Sequence, residues 1–151
     1  MVSRMFRIET EVDKERRDLL HSRLRDTNTA ASPELRALRG TPREREVPLH
    51  VWALDAAGEL AGGVVCHTWA EWLHVTYLWV DAPHRGTGLG TRLLAEAERV
   101  ARTERDCLAA RVETWDFQAP EFYRKQGYEV VSVIPDYPPG ITEYILTKRL
   151  R

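Results

Sequence analysis

The stretch from Val80 to Leu94, VDAPHRGTGLGTRLL, constrains this chain more than any other. It passes from strand to loop to helix. His74 to Val80 carries the β-branched and aromatic residues of a strand, and Pro83 ends it. From Leu89 the apolar residues return at helical spacing, with Leu89, Leu93, Ala97, Val100 and Ala101 on one face. Between strand and helix stand Gly86, Gly88 and Gly90, which let the backbone turn tightly and let a ligand approach without a Cβ in the way. The loop opens onto a helix N-terminus, where unpaired amide N–H groups and the positive end of the macrodipole favour an anion, and Arg85 adds a full positive charge. A phosphate or pyrophosphate suits this arrangement. The other reading is a plain strand-to-helix connection that uses glycine for its geometry.

Two familiar nucleotide motifs do not fit. A Walker loop needs GK[ST] after its last glycine, whereas Gly90 is followed by Thr91 and Arg92; a dinucleotide fingerprint G-x-G-x-x-G needs glycine at Thr91. What stands here is R-x-x-G-x-G, Arg85 to Gly90. The length of 151 residues is that of one domain, 1–151, with a sizeable core and no internal repeat. A formal charge of −1 with well mixed signs gives no basic footprint for nucleic acid, and no apolar run approaches membrane-spanning length. Cys66 and Cys107 lie far apart in strand-like segments without metal-ligand spacing, so buried thiols of a reducing compartment are expected and no metal is. MVSRMFRIET lacks the apolar core of a secretory leader, and the basic residues after it are mixed with acids. A cytoplasmic protein is expected.

Along the chain, Met5 to Glu9 alternates as a first strand, and Thr10 with Asp13 gives a T-x-x-D cap signature before a helix to about Asp26, with Leu19, Leu20 and Leu24 inward. Ser32 and Pro33 start a short second helix that Gly40 stops. Leu49 to Leu54, a turn at Ala56 to Gly58, and Glu59 to Trp69 form a strand pair continuing into His74–Val80. Gly62 and Gly63 mark either a bulge or a close backbone approach in the middle strand. His67, Trp69, Trp72 and His74 cluster near its turn, a pattern more often packing than a ligand cage. A helix over Leu89 to Thr103 followed by a strand over Cys107 to Thr114 is a crossover, which makes that strand parallel to His74–Val80 and the sheet mixed. Pro120 to Gln126 is a short helix ended by Gly127. Tyr128 to Ile134 and Ile141 to Leu146 close the chain as a strand pair around PDYPPG.

The Arg85–Gly90 loop, followed at the right distance by AxxFYxxxGY from Ala119 to Tyr128, resembles the GCN5-related N-acetyltransferase superfamily over essentially the whole chain. The resemblance implies an α+β fold, a central mixed but mostly antiparallel sheet flanked by helices. It implies an enzyme that moves an acetyl group from acetyl-CoA to a primary amine of a small molecule or peptide, with neither nucleic acid nor membrane as partner; a homodimer is compatible with it. By this resemblance, backbone groups of Leu78, Trp79 and Val80 pair with pantetheine like an added strand, and Arg85, Gly86, Thr87, Gly88, Leu89, Gly90 and Thr91 hold the pyrophosphate. Tyr123 faces the sulfur as general acid. Asp116 stands where asparagine is common in the second motif, and a carboxylate accepts but cannot donate the hydrogen bond an amide would give.

An alkylammonium has no lone pair with which to attack a thioester, so the reaction needs a base or a water chain. Glu113, His74 and Glu71 are the candidates, and the strand register that would choose among them is open to reversal by a single bulge. The competing class is a non-catalytic acyl-CoA-binding sensor or structural module that keeps the pocket without the turnover.

Overall fold

The structure, a computed structural model, describes residues 5–151. The chain falls into two compact units, residues 1–41 and 42–151. In the first, helix α1 spans Lys14–Ala31 and is capped by Asp13, whose carboxylate accepts the Arg16 N–H at 2.9 Å. The cap is thus Asp13 rather than Thr10. Helix α2, Pro33–Leu38, follows at once because Ser32 serves both ends. Its own N–H donates to Asn28 O at 3.0 Å, and its hydroxyl accepts from the Leu35 N–H at 3.1 Å. Within this unit taken by itself no residue of α1 is buried, and Leu19, Leu20 and Leu24 are exposed. The neighbouring α2 has only six residues, too few to cover them. Met5 to Glu9 forms no strand. Alternation supplies a face, but a strand also needs a partner for its N–H and C=O groups.

The second unit is a six-stranded sheet. In chain order its strands are β1 (Val47–Leu54), β2 (Leu60–Trp69), β3 (Trp72–Val80), β4 (Ala109–Trp115), β5 (Glu129–Ile134) and β6 (Glu143–Arg149), arranged β1-β2-β3-β4-β6-β5. Every neighbouring pair is antiparallel except β3 and β4, which helix α3 (Leu89–Glu104) joins. A short helix, α4 (Pro120–Lys125), precedes β5. Gly62 and Gly63 mark a close approach: a Cβ on Gly62 would lie 2.9 Å from the Trp79 carbonyl oxygen, and one on Gly63 would lie 2.6 Å from the Trp52 ring.

The core joins Val64, Leu73, Val75, Val112 and Leu146 of the sheet to Leu93, Leu94, Ala97 and Ala101 of α3, with Tyr123 and Tyr128 beside them. Ala97 and Ala101 are fully covered, and their small side chains let the helix lie close to the sheet. One charge enters this core. The buried Glu98 carboxylate accepts the Tyr128 hydroxyl at 2.7 Å and the Lys148 ammonium at 2.9 Å, tying α3 to β6 and to the chain after α4. Burial, then the Glu98 charge, pushes the Tyr128 hydroxyl pKa far up, so it stays a donor. Lys148→Met is expected to destabilise by about 2 kcal/mol, because Glu98 loses its counter-charge while staying buried. For a chain of this size that is a fall of roughly 4–8 °C in melting temperature, measurable by calorimetry. No helix among the described residues is long and apolar enough to cross a membrane.

Candidate active site

The parallel ladder between β3 and β4 is short. It runs from Trp72 opposite Ala109 to Val75 opposite Val112, and beyond that point the strands part. On the other side of β3, Cys66 faces Val75 and Val65 faces Tyr77, so Thr76 is an extra residue with no partner on β2. This bulge resets the alternation. Leu73 and Val75 point into the core before it, and Leu78 and Val80 pack on the core after it. Tyr77, which uninterrupted alternation would have buried, is 69% exposed.

At the end of β3 the chain makes a 3-10 turn, Ala82–His84, and enters the glycine loop. Gly86 and Gly88 have φ of 77° and 82°, the left-handed region, and a Cβ on either would meet nothing within 4 Å. These two glycines are there for the turn and leave open space above it. Gly90 differs: its missing Cβ would touch the Phe122 ring at 3.5 Å, so it seats the start of α3 against α4. Gly88 caps α3 without any side-chain hydrogen bond, and the first helical bond is the Arg92 N–H to Gly88 O at 3.1 Å. The amides of Leu89, Gly90 and Thr91 therefore lack helical acceptors and face an anion's natural position. Arg85 brings its charge here while its Nε donates to Val80 O at 3.0 Å, and the Thr87 hydroxyl donates to His84 O at 2.6 Å. An uncapped helix start, open space over two glycines and an adjoining guanidinium fit a pyrophosphate.

Tyr123 lies on α4, 5% exposed, its ring edge-on to Phe122 at 5.1 Å and to Tyr128 at 5.6 Å. Burial, with a smaller push from nearby Cys66, raises its hydroxyl pKa to about 12. Asp116, just past β4, accepts the Thr142 N–H at 3.1 Å, so its carboxylate helps to hold the start of β6 in place.

Where β3 and β4 part, a cavity of about 390 Å³ opens, lined by His74, Tyr77, Glu113, Trp115, Gln118 and Glu143 among others. Two of the three base candidates meet here. His74 Nε2 lies 3.9 Å from Glu113 Oε1. The third does not: Glu71 sits at the β2–β3 turn, paired with Arg43 at 3.2 Å and Arg151 at 3.8 Å, in a separate cavity of about 620 Å³ at the other end of the sheet. Glu113 also accepts from Arg111 Nη2 at 3.1 Å. His74 stacks edge-on to His67 at 4.8 Å, and His67 Nε2 lies 3.0 Å from Glu46. Desolvation, then the His67 and Arg111 charges, lowers the His74 pKa below its ordinary 6.5 against the opposing pull of Glu113 and Glu46. The shift favours the neutral imidazole. Trp115 and Glu143 on strands and Gln118 in the turn after β4 escaped the sequence reading, since none of these residue types carries a local mark of the cavity it lines.

Comparison with known proteins places this geometry. Residues 14–128 match the acetyltransferase (GNAT) family. Blasticidin-S acetyltransferase of Streptomyces morookaense is 56% identical over 131 residues, covering 85% of this chain and 96% of that protein. Acetyltransferase Atu2258 of Agrobacterium fabrum is 34% identical over 101 residues, 67% of this chain and 73% of that one. The crystal structure of an acetyltransferase from Bacillus cereus matches with a TM-score of 0.80 at 28% identity, covering 96% of this chain and 98% of its own. Family, curated relative and solved structure agree over most of the length, so the chain belongs to the GNAT acetyltransferase family and is an acetyl-CoA-dependent N-acetyltransferase.

Proposed function

We propose that residues 1–151 act as one domain that acetylates a primary amine of blasticidin S or of a closely related small-molecule antibiotic. The observation that carries this reading is the 56% identity across 96% of Blasticidin-S acetyltransferase. The cavity beside His74 supports it, because at about 390 Å³ it has the scale of a small-molecule site. Free, buried Cys66 and Cys107 suit a reducing compartment, and we place the enzyme in the cytoplasm.

Acetyl-CoA supplies an activated acetyl thioester. The amides of Leu89, Gly90 and Thr91, with Arg85, hold its pyrophosphate, and the backbone of β3 beyond Val75, freed from β4, pairs with the pantetheine arm as an added strand would. His74 takes the proton of the attacking amine. Burial and the neighbouring charges favour its neutral form, and Glu113 is already engaged by Arg111, which makes the imidazole the better base. Tyr123 donates a hydrogen bond from its hydroxyl to the departing thiolate.

The sign of the pH dependence follows. A base works only when unprotonated, so kcat/KM is full above the His74 pKa and falls about tenfold per pH unit below it. With His67, Arg111, Glu113 and Glu46 around it and desolvation dominant, that limb lies below pH 6.5. Rate profiles of the parent and of His74→Asn should differ by the loss of this limb; an identical limb in the variant removes His74 from the base role. The function itself is tested by free-thiol release with blasticidin S and a panel of small and peptide amines, followed by mass spectrometry of the product. Acetyl-CoA binding without turnover on any amine would favour a non-catalytic sensor.

A further inference from the structure

We infer that Glu143 selects the acceptor by charge, holding a second cationic group of the amine substrate beside the indole of Trp115. This rests on reading the β3–β4 cavity as the acceptor site. In the β4–β6 ladder Trp115 lies opposite Glu143 and Glu113 opposite Ile145, so Glu113, Trp115 and Glu143 share the sheet face turned away from α3.

The two carboxylates of the cavity differ in circumstance. Glu113 has Arg111 at 3.1 Å and His74 at 3.9 Å. Among the described residues no hydrogen bond or ion pair engages the Glu143 side chain, which is partly buried in the cavity wall. With Glu113 balanced by Arg111, the wall presents one uncompensated negative charge. A carboxylate in a cavity wall without a partner is open to an ion pair with a cation that enters the cavity. Aromatic surface is at hand for the same cation: Trp115, steadied by Phe117 at 5.7 Å, and Tyr77, which the Thr76 bulge turns to this face.

The cation at Glu143 is not the amine that reacts. A carboxylate paired directly with the attacking ammonium would favour its charged form and hold its proton in place. His74 and Glu143 therefore serve different groups, one losing a proton and one keeping its charge. The acceptor class this defines is a compound with at least two cationic groups, of which one is acetylated.

The test uses binding as well as turnover. In the full chain saturated with coenzyme A, calorimetry compares cadaverine, a diamine, with pentylamine, its monoamine counterpart. The parent is expected to bind cadaverine roughly ten- to a hundredfold more tightly, and Glu143→Gln to abolish that preference while coenzyme A affinity stays unchanged. Equal affinities in the parent, or an intact preference in the variant, overturn the inference. Thiol release on the amine panel is measured in parallel, so failure of the acetylation reading shows as absent turnover and is distinguished from failure of the charge selection.

Discussion

Tyr123→Phe is expected to slow the chemical step by about 10²–10³-fold while acetyl-CoA binding changes by no more than about threefold. The substitution removes one oxygen from a side chain already 5% exposed, so packing against Phe122 and Tyr128 survives. The raised pKa decides what the oxygen does. A hydroxyl pushed to about 12 stays protonated throughout the working range. A thiolate whose free pKa is about 8.5 cannot take that proton outright without an uphill transfer, though the same dry surroundings raise the thiol as well and narrow the gap. In the proposed mechanism Tyr123 would therefore act chiefly by donating a hydrogen bond to sulfur as charge develops there. That places the expected loss at the level of a single preorganised donor rather than at the upper end for full acid catalysis. It also means that no rate limb near neutral pH is expected from Tyr123. Single-turnover kinetics on folded variant, with acceptor saturating, gives the answer: an unchanged step leaves the tyrosine as packing alone.

Gly88→Val is expected to weaken acetyl-CoA binding on the order of 10²-fold. Two effects add. At φ of 82° a β-branched residue is strained, by roughly 1–3 kcal/mol, and relief of that strain turns the following amides away from a common focus. The new side chain also projects into space where, among the described residues, its Cβ would meet no atom within 4 Å beyond its chain neighbours, which is the space a phosphate would use. Gly88→Ala separates the two, since it carries most of the strain and little of the bulk. Titration calorimetry on both variants, after thermal melting shows them folded, measures the effect. Parent-like affinity in folded Gly88→Val would mean that the phosphates bind elsewhere.

Legibility in the sequence followed the range of the interactions. The glycine loop, α3 and the β3–α3–β4 crossover were readable because turn chemistry and helical period are local, and the boundaries differ by only one or two residues. Ser32, acting as cap, was readable for the same reason. Two readings judged a face without its partner: Met5 to Glu9 alternates but forms no strand, and within the first unit taken by itself Leu19, Leu20 and Leu24 are exposed. The insertion of β6 between β4 and β5 depends on pairing distant in sequence, and that insertion brings Glu143 to Trp115. The bulge at Thr76 had no glycine or proline to announce it, so the direction of Tyr77 and Trp79 was fixed only when β2 and β3 were seen together.

That bulge makes the pairing with β2, rather than residue type, what sets the two faces of β3. The run Val75-Thr76-Tyr77-Leu78-Trp79-Val80 is apolar or aromatic almost throughout, so its composition does not say which side chains belong inside. One supernumerary residue supplies a change of parity halfway along. The first half obeys one odd-even rule and the second half the other, as in two words set in adjacent reading frames. Thr76 is open to exchange because its identity carries little of this information, whereas its being left without a partner on β2 carries all of it. Were Thr76 paired in regular register instead, Tyr77 would turn toward α3 and Leu78 toward the opposite face, inverting the wall of the cavity without altering a single letter.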